Sequence, residues 1–232
     1  MSYFQALIAP QLLSLFETLF SVQLTDETTR IRDVLSQLDT QLFASYTKPH
    51  ALAIHNWIES GIFSPQWASG AARGRVSDLD PSPYVSTVLL HLVTVHSVTS
   101  TTSPGSTLTP RILKSLFEST ATSLIRTFSS PRLPSISLPQ LMQATLDVEF
   151  ISQTLASCTT DKASQTQTDI YQVLDQKTDN AARTRLQDEL GGLRVGLKRL
   201  REGRRGEFGC FRRVKRGTVA SPNPGDEERG RR

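Results

Sequence analysis

A chain of 232 residues, 38% hydrophobic and 21% charged, is long enough for one domain with a sizeable core or for an extended rod of helix pairs. Its charge is bipolar: residues 183–216 hold twelve Lys/Arg against four Asp/Glu, an excess of +8, while residues 1–182 hold eleven against fifteen, or −4. Two cysteines, Cys158 and Cys210, far apart and without CxxC spacing, argue against a secreted disulfide framework and for a reducing compartment.

Apolar residues recur mostly at helical spacing with little strand-like alternation, which predicts an all-α fold. Leu12, Leu15, Phe16, Leu19 and Phe20 make the first stripe, with Pro10 at the helix start or at a kink near it. No Lys or Arg precedes Arg30, so this apolar start lacks the basic n-region of a signal peptide. Thr25 is the predicted cap of the next helix, whose buried face is Ile31, Val34, Leu35, Leu38, Leu42 and Tyr46. Lys48-Pro49 predicts its end, and a shorter helix from Pro49 to Gly61 groups Ala53, Ile54, Trp57 and Ile58. Residues 63–83, dense in Gly, Ser and Pro, read as a loop.

Ser82-Pro83 predicts a helix start, followed by Val85, Val88, Leu89, Leu92 and Val95 at spacings of three and four. Residues 84–98 are too short and too interrupted by Ser, Thr and His to span a bilayer, so the chain is expected to be cytosolic or peripheral. The Ser/Thr/Pro/Gly cluster at 97–107 predicts a break. Thr109-Pro110 repeats the start signal before the stripe Ile112, Leu113, Leu116, Phe117, Leu124 and Phe128. After a second break at 129–137, Ser137 and Gln140 fit a capping box, and Leu138, Leu141, Met142, Leu146, Phe150 and Leu155 share one face behind it. Residues 156–168 read as a polar bridge to a short helix around Ile170 and Leu174. Asp179 is the predicted cap of a last long helix, where Ala182, Leu186, Leu190, Leu193, Leu197 and Leu200 approach a coiled-coil seam. Gly191-Gly192 interrupts that seam as a close-packing point or a break. Residues 1–216 are expected to form one helical rod and residues 217–232 a disordered tail.

The chain carries no GxSxG elbow, phosphate loop or GxGxxG turn. The histidines pair as His50/His55 and His91/His96, five apart, where zinc binding on one helix face needs a spacing of four. Asp147 and Glu149 are two apart and diverge on a helix, which argues against a general acid–base pair. Cys210 stands beside Arg212 and Arg213, a setting that lowers a thiol pKa, but no base or resolving thiol is identifiable. No enzyme, metal or cofactor is expected.

The runs Thr29-Arg-Ile-Arg-Asp-Val-Leu-Ser-Gln-Leu-Asp39 and Leu42-Phe-Ala-Ser-Tyr-Thr-Lys-Pro49 carry a resemblance. So do residues 83–98 and, most fully, Leu138-Pro-Gln-Leu-Met-Gln-Ala-Thr-Leu-Asp-Val-Glu-Phe-Ile151. Thr160-Asp-Lys-Ala-Ser164, Asp179-Asn-Ala-Ala-Arg183 and Leu197-Lys-Arg-Leu-Arg-Glu-Gly203 complete it. Together they resemble the C-terminal region of the exocyst subunit Sec-five (exocyst complex component two), in the style of fungal members. The resemblance implies an elongated stack of antiparallel helical bundles of the tethering-complex rod type. It implies a non-enzymatic role in tethering secretory vesicles to the plasma membrane before fusion, at sites of polarised secretion. The partners it implies are other exocyst subunits, with no small-molecule substrate. The N-terminal immunoglobulin-like and coiled-coil segments of the family have no counterpart in this sequence.

Function is then expected on surfaces. Lys198, Arg199, Arg201, Arg204, Arg205, Arg212 and Arg213 are the candidate contact for an acidic protein face or an anionic membrane. The alternative is a basic-tailed helical module that binds anionic lipid or nucleic acid. Nucleic acid is disfavoured, since only Phe208 and Phe211 lie among the arginines for stacking.

Overall fold

Helical spacing in the sequence becomes eight α-helices in the computed structural model, which describes residues 9–20, 25–68 and 80–211. They are α1 (Ala9–Phe20), α2 (Thr25–Ile62), α3 (Pro65–Ala68), α4 (Pro83–Thr102), α5 (Leu108–Ser129), α6 (Leu138–Thr154), α7 (Asp161–Gln176) and α8 (Asn180–Gly203). Short 3-10 turns at Ala156–Cys158 and Gly209–Phe211 complete them. The described residues contain no strand, only an isolated parallel bridge between Ile136 and Thr178. The fold is all-α, as expected; the tail predicted at 217–232 lies outside the described residues.

Helix α5 is the centre, packed between α2 and α7 and against α4; α6 carries α8 and touches α4 and α7. The stripes predicted for α4, α5 and α6 are the core: Val85, Val88, Leu89, Leu92 and Val95 meet Ile112, Leu116, Phe128, Leu146, Phe150 and Ile151, all essentially buried. Each such side chain contributes about 1.5–3 kcal/mol on leaving water. Two of the predicted caps form, at Ser137 and Asp179, while the Thr25 side chain lies outside those described. Gln140 Oε1 accepts from the Ser137 backbone N–H at 2.9 Å, and Asp179 Oδ1 accepts from Ala182 N–H at 2.8 Å.

Several expectations fail, among them the loop predicted over residues 63–83, where Pro65–Ala68 is helical. Pro49 does not end its helix: α2 runs through it for 38 residues. An internal proline forfeits a hydrogen bond to the Ser45 carbonyl and costs about 3 kcal/mol. Burial of Ile54, Ile58 and Ile62 one to three turns later offsets that loss. Pro49→Ala is therefore expected to stabilise the chain by about 1–3 kcal/mol in urea unfolding, and an unchanged or lower midpoint would refute this account.

The upstream face predicted to be buried is open instead. Ile31, Val34, Leu38 and Leu42 are 41–70% exposed, as are Leu12, Leu15, Phe16, Leu19 and Phe20 of α1 at 47–68%. Leu35 and Tyr46 are half-buried. The break predicted from 97 also starts late, because α4 continues to Thr102. Thr99, Thr101 and Thr102 return their hydroxyls to the carbonyls of Val95, Ser97 and Val98 at 2.8–3.0 Å, so polar side chains are satisfied without leaving the helix. Finally, most of the predicted polar bridge is α7, capped by Thr160, whose Oγ1 accepts from Ala163 N–H at 3.2 Å. Gly191 is neither a break nor a close contact, since a Cβ there would meet nothing within 4 Å.

The loop between α5 and α6 is fastened from α7. Lys177 Nζ donates to the carbonyls of Ser130 (2.8 Å) and Leu133 (2.7 Å), and the Lys177 carbonyl accepts from Ile136 N–H at 2.9 Å. Desolvation pulls the Lys177 pKa below its ordinary value. Lys177→Met keeps the stem and removes both ammonium bonds. It is expected to lower stability by about 1–2 kcal/mol in urea unfolding, and a loss within error would show the bonds to be solvent-compensated.

Candidate protein-interaction surface

Helix α8 lies on α6 through Leu193, Gly196 and Leu197, all buried. It stops at Gly203, where Arg204 N–H bonds back to the Leu200 carbonyl at 2.9 Å. The chain then turns inward. Phe208 sets its ring edge-on to Phe150 (centroids 6.2 Å) and Phe211 meets His96 edge-on (6.0 Å). The Ser157 hydroxyl, in the turn after α6, donates to the Phe211 carbonyl. Both phenylalanines are almost fully buried, at 6% and 3% exposed, so the stacking platform considered from the sequence does not exist.

This ending gathers four of the seven predicted cations. Lys198, Arg201, Arg204 and Arg205, with Glu202, line an opening of about 410 Å³ over Phe150 and Phe208. Two of the four are held in place. Arg201 Nη1 donates to Gln153 Oε1 at 3.1 Å, and Arg204 Nη1 donates to Ser86 Oγ of α4 at 2.7 Å. The side chains of Lys198 and Arg205 have no polar partner among the described residues. Arg199 is exposed on α8 but does not line the opening. Arg212 and Arg213 lie outside the described residues.

A second opening, of about 360 Å³, was not foreseen. Leu186, Leu190, Leu193 and Leu197 of α8 form one wall, Leu146 and Glu149 of α6 lie opposite, and Tyr171 of α7 closes an end. The seam was visible in the sequence; that its leucines are only partly covered was not. Gln153 lines both openings and links them. Its Nε2 donates to Glu149 Oε2 at 2.9 Å, while Glu149 Oε1 accepts from the Tyr171 hydroxyl at 2.6 Å. Burial and this bond to Glu149 push the Tyr171 phenol well above its ordinary pKa, so it remains the donor at neutral pH. The result is a hydrogen-bonded line, Tyr171–Glu149–Gln153–Arg201, across the junction of α7, α6 and α8.

Among the described residues the other titratable groups lie apart from these openings. Asp147 and Glu149 diverge as predicted, Asp147 towards α4 and Glu149 towards Tyr171. His50 and His91 meet between α2 and α4, with Nδ1 and Nε2 3.0 Å apart, and Trp57 packs edge-on to His91. Desolvation, with His50 beside it, lowers the His91 pKa. The spacing of four that zinc needs applies to pairs within one helix, whereas this pair forms across two. Burial raises the Cys158 thiol, and desolvation raises that of Cys210 although it is exposed, against the activated setting read from Arg212 and Arg213, which lie outside the described residues. Among the described residues no group of three or more His, Cys, Asp or Glu gathers to hold a metal. No described helix is long and apolar enough to cross a membrane.

Helices that pack through long seams, with leucine- and arginine-lined openings at the surface, define an all-α helical protein. A family model for exocyst complex component Sec5 matches residues 1–211. The chain belongs to that family and is an exocyst component. No curated protein matches it, and no solved structure does.

Proposed function

We propose that the chain acts with other exocyst subunits in tethering secretory vesicles to the plasma membrane before fusion, and that its contribution is helical surface rather than bond-making. The observation that carries this reading is the family match over residues 1–211, on a fold whose openings suit packing rather than reaction. In this reading the protein is cytoplasmic and peripheral at plasma-membrane sites of polarised secretion. Lys198, Arg201 and Arg205 serve as contacts for an anionic partner. Affinity purification of the tagged chain with mass spectrometry tests it. Recovery of other exocyst subunits is expected, and their absence would overturn it.

The alternative reading, a basic module for anionic lipid or nucleic acid, is favoured by the two unpartnered cations Lys198 and Arg205. Burial of Phe208 and Phe211 speaks against single-stranded nucleic acid. A steep fall in binding to lipid or nucleic acid between low and physiological salt, with no protein partner recovered, would support it.

A further inference from the structure

We propose that the leucine-lined and arginine-lined openings form one docking trough for an amphipathic helix of a protein partner, apolar along one half and acidic along the other. This rests on the interaction reading above only in requiring a protein partner; it adds the chemistry of the segment that binds.

Three observations carry it. First, the openings adjoin: Gln153 lines both, and α8 forms a wall of each, from Leu186 in the apolar half to Arg201 and Glu202 in the basic half. From Leu186 to the end of α8 at Gly203 the trough runs about 26 Å at 1.5 Å per residue, which matches a helix of roughly five turns. Second, its charge is uncompensated. In the basic half four cations face one carboxylate, Glu202, and none of the four lies within salt-bridge distance of any carboxylate among the described residues; the apolar half adds one charge of each sign, Arg194 and Glu149. An acidic segment would supply the missing counter-charge. Third, the junction is pre-ordered. The line from Tyr171 through Glu149 and Gln153 fixes the Arg201 guanidinium before any partner arrives, which lowers the ordering cost of binding.

The same observations choose among partner classes. A bilayer is a flat surface, and these cations border a recess over Phe150 and Phe208 rather than a flat or convex face. Nucleic acid has no use for a leucine wall, and Phe208 and Phe211 beside these cations are buried and offer no ring to stack on. A helix with apolar residues at i, i+3, i+4 and i+7 followed by Asp or Glu satisfies both halves at once.

Site-specific photo-crosslinking in the full chain tests this, with the photoreactive residue placed at Thr145, which lines the apolar half, or at Thr154, which lines the basic half. The expected result is capture of one partner segment by both probes, its sequence apolar at helical spacing near the Thr145 probe and rich in Asp/Glu near the Thr154 probe. The double variant Lys198→Glu, Arg205→Glu alters two side chains without polar partners and should leave the circular dichroism spectrum unchanged, yet lower Thr154 capture at least tenfold. Gln153→Met, which cuts the hydrogen-bonded line, should lower it several-fold. Capture of lipid, of nucleic acid or of Lys/Arg-rich segments would overturn the proposal, as would capture undiminished by the double variant. If exocyst subunits co-purify but no such segment is captured, the trough fails alone. If the segment is captured from a protein outside the complex and no subunit co-purifies, the tethering reading fails alone.

Discussion

Gly61→Ala is expected to destabilise the fold by about 2 kcal/mol and Gly61→Val by about 4 kcal/mol, although both replace a glycine inside a helix. Propensity alone points the other way, since alanine in place of glycine is worth about 1 kcal/mol to a helix interior. Space decides the sign. A Cβ on Gly61 would lie 2.5 Å from Tyr84 Cβ, 2.6 Å from Cδ1 and 2.7 Å from Cγ, all far inside contact distance. Tyr84 Cβ is fixed to the first turn of α4 and cannot swing aside, so α4 must move away from α2. That displacement would disturb Ile58, Ile62 and Val85, each at most 1% exposed, and the Tyr84 ring beside Asp147. Urea unfolding of the two variants measures the effect. An alanine variant as stable as the parent would show that the helices part without loss.

The stripes of α4, α5 and α6 were legible because their apolar residues are buried on one face and their caps use side chains with a single local purpose, as Ser137, Gln140 and Asp179 do. Legibility failed where distant contacts outweighed a local signal. Pro49 is a strong stop within four residues, but the isoleucines that keep α2 helical are anchored by α4 and α5, which no local window contains. Thr99, Thr101 and Thr102 have the composition of a loop, yet each satisfies its hydroxyl on its own helix. In α2 the stripe Ile31, Val34, Leu38 and Leu42 has the right period, but periodicity cannot say whether a partner helix exists, and among the described residues none covers it.

The candidate surface divides in the same way. Charge asymmetry marked the end of α8, and Lys198, Arg201, Arg204 and Arg205 do converge there. What the linear pattern hid was their inequality. Arg204 is committed to Ser86 of α4, 118 residues earlier in the chain, and Arg201 to Gln153, so Lys198 and Arg205 are the cations left to meet a partner. The leucine seam was equally visible, but whether a seam is closed or open depends on where α7 stands relative to α8.

Asp147→Asn is expected to remove a pH dependence of stability that the parent carries between about pH 4 and pH 7. Asp147 is fully buried between α6 and the start of α4. Its Oδ1 accepts from Ser82 N–H at 2.8 Å and from Gln143 Nε2 at 3.0 Å, so it caps α4 from a distance where Ser82 makes no side-chain cap of its own. Its Oδ2 has no hydrogen-bond partner, and neither has the buried Tyr84 hydroxyl beside it. Burial, and then the Asp147 charge, drive the Tyr84 phenol well above its ordinary range. Desolvation outweighs the hydrogen bonds and raises the Asp147 pKa from 3.8 to about 6. The folded state therefore holds this proton more tightly than the unfolded chain does. The contribution to stability is complete below pH 3.8 and is lost as pH rises through about 6, because the folded protein must then bury a carboxylate with no counter-charge. The shift corresponds to about 3 kcal/mol. Asparagine keeps the acceptor for Ser82 and Gln143, places a donor towards the Tyr84 oxygen and cannot ionise. Relative to the parent, the variant should be near neutral at pH 4 and more stable by up to about 3 kcal/mol at pH 7.5, as read from urea unfolding at both values. A stability difference that does not change between the two pH values would mean that the carboxylate is stabilised by the α4 N-terminus as fully as water stabilises it in the unfolded chain.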